Sequence, residues 1–268
     1  MPAEPPVFRL HEGSLPLLVS MPHDGTAIPA DLREDFRDSA RKVPDTDWHI
    51  STLYDFAAAL GASLLVPGYS RYVVDLNRPA DGSALYPGLV ETGLCPIFSF
   101  AGEPLYRAGR EPDAQAVAAR RERYWQPYHV ALRDELARLQ ALHGQVLLWE
   151  AHSIRSEVPM LFAGRLPDLN LGTADGASCG APLRQALVDC LRTQSEFSWV
   201  IDARFKGGYI TRHYGQPAQG IHAVQLELAQ LTYMDEQTAR YDALRAGRLR
   251  VTLERLLAVA LATISYKD

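Results

Sequence analysis

His23, Asn77-Arg78, His152 and Glu227 stand at or near the ends of short apolar runs, and together they offer a hydrolytic site. Hydrolysis with a divalent metal needs two or three neutral imidazoles or carboxylates and an open position for water. His23 follows LPLLVSM and His152 follows QVLLWEA, so both imidazoles are expected at a rim rather than in the core. Asp24, Asp45 and Asp47 are the nearby carboxylates. Asp47 falls in the first turn of an expected helix, where an acidic residue also serves as a cap. Glu227 interrupts the apolar run Val224–Leu228. A buried glutamate is costly without a partner, and beside a metal site it is suited to act as a general base. Periodicity alone leaves open whether it faces such a site or the solvated edge of a sheet. An arginine next to an amide, as in Asn77-Arg78, can clamp a carboxylate through charge-assisted hydrogen bonds. Arg155 and Arg212-His213 sit in loops able to reach the same place. Arg71 opens the run RYVVDL and is expected at its far end in a structural role. His11, His49, His129, His143 and His222 read as surface or packing residues.

The elements that position these residues alternate. Strands are expected at Leu15–Met21, Ser63–Val66, Arg71–Leu76, Gln145–Ala151, Ser198–Asp202 and Ala223–Leu228. Helices are expected over Asp45–Leu60, Asp113–Leu142 with a kink at Pro127, Pro182–Arg192 and Asp235–Tyr266. Gly247 inside the last helix costs ~1 kcal/mol relative to alanine. Loop signals dominate Pro79–Pro112, including Pro87-Gly88, and again Pro159–Cys179. A loop region as long as the first is usually functional. Strands alternating with long helices indicate a mainly parallel or mixed sheet with helices on both faces. In such sheets ligands bind where the carboxyl ends of the strands converge. The expectation is a single domain spanning residues 1–268.

Composition narrows the function classes. The chain has 268 residues, 47% hydrophobic and 22% charged, with a formal net charge of −5. A phosphate-gripping surface wants a basic face, so nucleic acid is not an expected partner. The small negative charge is compatible with an anionic small molecule held by local arginines. Three cysteines without C-x-x-C spacing read as free thiols in a reducing compartment. The N-terminus lacks the pattern of a signal peptide, and no apolar stretch is long enough to span a bilayer. A soluble cytoplasmic protein, monomeric or a small homo-oligomer, is the expectation.

Several longer segments resemble one family in the right order. MPHDGTAIP, DTDWHISTLYDFAAALGAS, SRYVVDLNRP, GLCPIFSFAGEPLY, WEAHSIRSEVP, FKGGYITRHYG and VQLELAQLTYM are similar to the N-formylglutamate amidohydrolase family, from about Leu15 to Met234. The family is in turn distantly similar to zinc carboxypeptidases and to aspartoacylase, which share the Asp75-Leu76-Asn77-Arg78 pattern. The resemblance implies a zinc-carboxypeptidase-like (phosphorylase/hydrolase-like) α/β fold and hydrolysis of N-formyl-L-glutamate to formate and L-glutamate, a step of histidine degradation. It further implies His23 and His152 as zinc ligands, Glu227 as the base, and Asn77 and Arg78 on a substrate carboxylate. Those distant relatives take a third ligand from His-x-x-Glu. Here that position is Thr26, and the deformylase-like pattern, which places an acidic residue at 47, implies Asp47 as the third ligand, with Asp24 as the fallback. Arg155 is a candidate for the developing oxyanion, and Arg212 or His213 for the second carboxylate. Two histidines and a carboxylate also suit iron, cobalt or manganese. The rival readings are a deacylase or carboxypeptidase-like enzyme for another N-acyl amino acid, and a non-catalytic binder of acidic amino acids.

Overall fold

Residues 4–84 and 91–265 are described by the structure, a computed structural model. The expected turn at Pro87-Gly88 and the final helical residue Tyr266 lie outside them. Seven strands form one sheet: β1 Phe8–His11, β2 Leu17–Ser20, β3 Ser63–Pro67, β4 Val146–Ile154, β5 Leu169–Gly172, β6 Trp199–Ile201 and β7 Ile221–Ala229. Their order is β1-β3-β2-β4-β7-β5-β6. The central strands β3, β2, β4 and β7 are parallel. β1 joins β3 antiparallel, and β5 joins β7 antiparallel. The sheet is therefore mixed, with its parallel part in the middle. Central parallel strands are covered on both faces, which explains their apolar content.

One face is packed by α1 Ile50–Leu53, α2 Phe56–Leu60, α5 Ala181–Arg192 and α7 Ala243–Ser265. The other is packed by α3 Ala114–Arg120, a π-helical turn Arg121–Trp125, α4 Gln126–His143 and α6 Tyr209–Tyr214. On this second face the strands change character along their length. Side chains two apart on a strand share a face. The series Val146, Leu148, Glu150, His152 thus runs from core to polar site, and so does Ala223, Gln225, Glu227 on the neighbouring strand. The sheet's two central strands bury an apolar base and raise a polar end above it.

Four sequence expectations change. The run Arg71–Leu76 is a chain of turns, not a strand. Ser70 begins it by accepting from Tyr72 and Val73, and Asp75 accepts from the Asn77 amide two residues on. Serine and aspartate offer the backbone such partners in place of a sheet ladder, and they override the β-branched pair Val73-Val74. The helix expected over Asp45–Leu60 begins only at Ile50, after His49 in a left-handed conformation (φ 63°), and breaks at Tyr54-Asp55. The long helix over 113–142 exists, but its irregularity is the π turn just before Pro127, which occupies the first turn of α4. A hairpin, β8 Met234–Asp235 with β9 Arg240–Tyr241, stands where the last helix was expected to begin. β1, β5 and α6 have no counterpart in the sequence reading.

Candidate active site

β4 extends past its expected end to Ile154, so His152 is inside the strand. The parallel register sets His152 directly beside Glu227 of β7. Opposite them, the turn after β2 carries His23, and the turn before α1 carries Asp47, whose amide donates to the His23 carbonyl. His23, Asp47 and His152 are all buried, and one ligand atom from each lies within 4.8 Å of the others. The Asp47 Oδ2 atom stands 3.0 Å from His152 Nδ1 and 3.8 Å from His23 Nδ1. Asp47 is not the helix cap. Asp24 takes that part, accepting from the Ser51 amide at 3.0 Å.

Each imidazole is oriented through its other nitrogen. His23 Nε2 meets Asp75 Oδ1 at 2.7 Å, and Asp75 Oδ2 accepts from Arg71 at 2.7 Å. His152 Nε2 lies 3.2 Å from Glu150 Oε2 and 3.1 Å from Asn77 Nδ2. A carboxylate behind a histidine is the arrangement that fixes tautomer and ring plane in metal sites. Two imidazoles and a carboxylate converging with such support fit a divalent metal with an open position.

The charges are strongly coupled. Burial and the Arg71 guanidinium push His23 down to about 4, against the pull of Asp75. Burial also opposes a charge on His152, but hydrogen bonds to Asp47 and Glu150 override it and raise the group to about 10. Burial lifts Glu227 to about 7, although His152 and Arg71 draw it back. A carboxyl balanced near neutrality beside a histidine is what proton transfer requires. Asp75 is held well below the usual range despite its burial, chiefly by Arg71 and His23.

A cleft open to solvent leads down to these groups. Its lining includes His23, His152, Glu227, Asn77 and Arg78. Asn77 is fixed on both ends of its amide: Nδ2 faces His152, and Oδ1 accepts from the Ile210 amide at 2.8 Å. Gly208 packs so closely that a Cβ there would stand 2.3 Å from Asn77 Nδ2. Its amide donates to Gln225 Oε1 at 2.7 Å, and Gln225 Nε2 reaches Glu227 at 3.3 Å.

The remaining expected residues stand elsewhere. Arg155 lies in an adjoining hollow and donates to the Glu236 carbonyl at 2.9 Å. Arg212 and His213 are on the exposed side of α6, Arg212 bonded to the Gly207 carbonyl and His213 stacked on Tyr209. None of these three lines the cleft. Arg71, assigned to a distant strand end, lines it instead, because the strand that would have carried it away does not form. Glu150 and Arg204 were not singled out in sequence, and Asp75 was named only as part of the Asp75-Leu76-Asn77-Arg78 pattern, without a role. Glu150 had a legible signal, a glutamate inside QVLLWEA two residues before His152, whereas Arg204 had none beyond its type.

Fold and site together define an α/β protein with a buried His–Asp–His centre beside a carboxylate, the kind of site that metal-dependent hydrolases use. The chain belongs to the N-formylglutamate amidohydrolase family, whose family model matches residues 15–234. It is 51% identical over 259 residues to an N-formylglutamate deformylase of Pseudomonas putida, covering 96% of each chain. It is 53% identical over 257 residues to an N-formylglutamate deformylase of Pseudomonas aeruginosa, covering 94% of this chain and 96% of that one. Among solved structures it is similar to an N-formylglutamate amidohydrolase from Ralstonia eutropha JMP134, with a TM-score of 0.80, 25% identity and 97% of each chain covered. A gene product of Agrobacterium tumefaciens shares the fold at a TM-score of 0.69 and 17% identity, covering 95% of this chain and 96% of that one.

Proposed function

We propose that this chain hydrolyses N-formyl-L-glutamate to formate and L-glutamate, using a divalent metal ion, zinc foremost, held by His23, Asp47 and His152. The observation that carries the reading is the buried His–Asp–His group set beside Glu227 by the β4–β7 register. Half-identity to deformylases over nearly the whole chain supports the choice of substrate.

When bound, the ion lowers the pKa of water toward ~7 and polarises the formyl oxygen. The protein's own groups do the rest. Glu227 accepts a proton from the attacking water and passes it to the amine nitrogen as the C–N bond breaks, so the water oxygen ends in formate. Its carboxyl, lifted to about 7 by burial, is suited to both transfers. Asp75 and Glu150 hold the two imidazole planes, and Asp47 is held in turn by the Ser153 amide at 3.0 Å. Asn77, locked by Ile210, presents its amide N–H beside His152, where a substrate carboxylate or the developing oxyanion can accept from it.

The direct test is formate release from N-formyl-L-glutamate before chelation, after chelation and after zinc is restored. Turnover that stops with chelator and returns with zinc is expected. No turnover with zinc, cobalt or manganese would sink the proposal, and N-acetyl and N-succinyl amino acids would then be tried in the same assay.

A further inference from the structure

The proposed substrate carries two carboxylates, and the cleft is lined by three arginines, Arg71, Arg78 and Arg204. Two of the three are occupied by the protein. Arg71 is bonded to Asp75 at 2.7 Å and lies 3.8 Å from Asp47. Arg78 spends Nε on the Thr92 carbonyl, Nη1 on the Asn77 carbonyl and Nη2 on Thr92 Oγ1. Arg204 differs. Its Nε donates to the Leu161 carbonyl at 2.8 Å, and its guanidinium lies 5.3 Å from the centre of the Phe205 ring. Those contacts fix the plane of the group and leave both terminal nitrogens without a hydrogen-bond partner among the described residues.

We propose that Arg204 selects the acidic side chain of the substrate, its two terminal nitrogens taking the side-chain carboxylate of an N-acyl acidic amino acid. This rests on the hydrolytic reading above and deepens it. A guanidinium with a fixed plane and free terminal donors is built for bidentate capture of a carboxylate.

Position decides which carboxylate. The α-carboxylate is two bonds from the scissile nitrogen and must sit against the reacting groups, where Asn77 stands. The side-chain carboxylate is farther along the substrate and needs a cation away from the centre. Arg204 meets that need. Its Nε is tied to the Leu161 carbonyl and its guanidinium lies over Phe205, and Leu161, Phe205 and Ile154 line the cleft with it. The methylenes of a glutamate side chain would cross this apolar stretch on the way to the guanidinium.

The loop that carries Arg204 is rigidly seated. A Cβ at Gly172 would meet the Gly207 amide nitrogen at 2.7 Å, so β5 and this loop pack backbone to backbone. The Thr173 amide and hydroxyl further bind Asp202 at 2.6 and 2.7 Å. A cation intended to measure substrate length is best mounted on such a loop.

The experiment compares kcat/KM for N-formyl-L-glutamate and N-formyl-L-glutamine in the metal-loaded protein and in Arg204→Gln. Arg204→Met is made alongside because it keeps the stem that packs on Phe205. Each variant is checked by thermal midpoint and metal content, and L-glutamate binding is measured by calorimetry. Both variants should lose about a hundredfold on the glutamate substrate, mostly in KM, while the glutamine substrate changes only a few-fold. L-glutamate binding should weaken in parallel. An equal fall on both substrates, or an unchanged glutamate-to-glutamine ratio, overturns the assignment. An unaltered protein inactive on N-formyl-L-glutamate would instead overturn the hydrolytic reading itself.

Discussion

Glu227 is 7% exposed, yet it sits in a strand whose neighbouring residues Leu226 and Leu228 are fully buried in the core. Such a carboxyl is retained at a cost, which the proposed proton transfer would account for. Replacing it by glutamine preserves volume and most of the packing but removes the proton acceptor. Glu227→Gln should lower kcat on N-formyl-L-glutamate by about 10² to 10⁴-fold, with bound zinc, measured by elemental analysis, still near one ion per chain. Retained turnover would assign the base elsewhere. Loss of the metal would make Glu227 a ligand instead. The same scale explains which carboxylate faces the two histidines. Asp24 and Asp47 were both open in sequence, and the placement turned on which one met a free helix amide to cap. Asp24 reaches Ser51 from a separate segment, which leaves Asp47 to face the two histidines.

At the scale of elements, the site is made by two strands and three turns that meet, the turn before α1 carrying Asp47. Strands β4 and β7 supply His152 and Glu227 in register, while the turns near residues 23 and 75 bring His23 and its supporting Asp75. Helix α6 closes this arrangement, because its first residues hold Asn77 through the Ile210 amide. Gly208 lets α6 come this close. The position has an ordinary backbone conformation (φ −79°), so an alanine there suffers from crowding alone. Gly208→Ala should displace Asn77 and raise KM or lower kcat by about tenfold or more, while the thermal midpoint falls by only a few degrees. A variant with unchanged kinetics would show that Asn77 does not need this seat.

At the scale of the whole molecule, the most strongly depressed histidine among the described residues stands outside the candidate metal ligands. His129 of α4 is packed between Trp125, Tyr209 and Tyr214, with Nε2 2.8 Å from the Leu76 carbonyl. Burial pushes it down to about 3, against the pull of that carbonyl and with a small push from His213. The folded protein therefore resists protonating a group that the unfolded chain protonates near its ordinary value of 6.5. Stability from this histidine is complete above that value and declines as pH falls from there toward 3. Urea denaturation from pH 7 to pH 4 should show stability falling with acid, and His129→Gln should show a shallower fall from a lower starting point. Parallel slopes would remove His129 from the account. Because His129 bonds the residue just before Asn77, acid that opens this packing should also loosen the site. Among the described residues no helix is long and apolar enough to cross a membrane.

Much of this molecule was legible in its residues. Runs such as QVLLWEA and AVQLEL are too apolar and too short for anything but central strands, and their alternation with helical stripes led to an α/β sheet covered on both faces. His23, His152 and Glu227 stood out because ionisable residues interrupt or end those runs, a local signal that needs no neighbour to be read. Tertiary structure decided what depends on contacts between distant segments. The stretch RYVVDL has strand-forming residues, but Ser70 and Asp75 turned it, and only that turn brings Arg71 and Asp75 to the histidines. In sequence Arg155, Arg212 and Arg204 look alike, three arginines outside the expected strands and helices. Which of them faces the cleft depends on how β5, β6 and α6 dock, a packing outcome spread over the whole chain. Periodicity records which side of an element is buried; it carries no record of which other element will cover it.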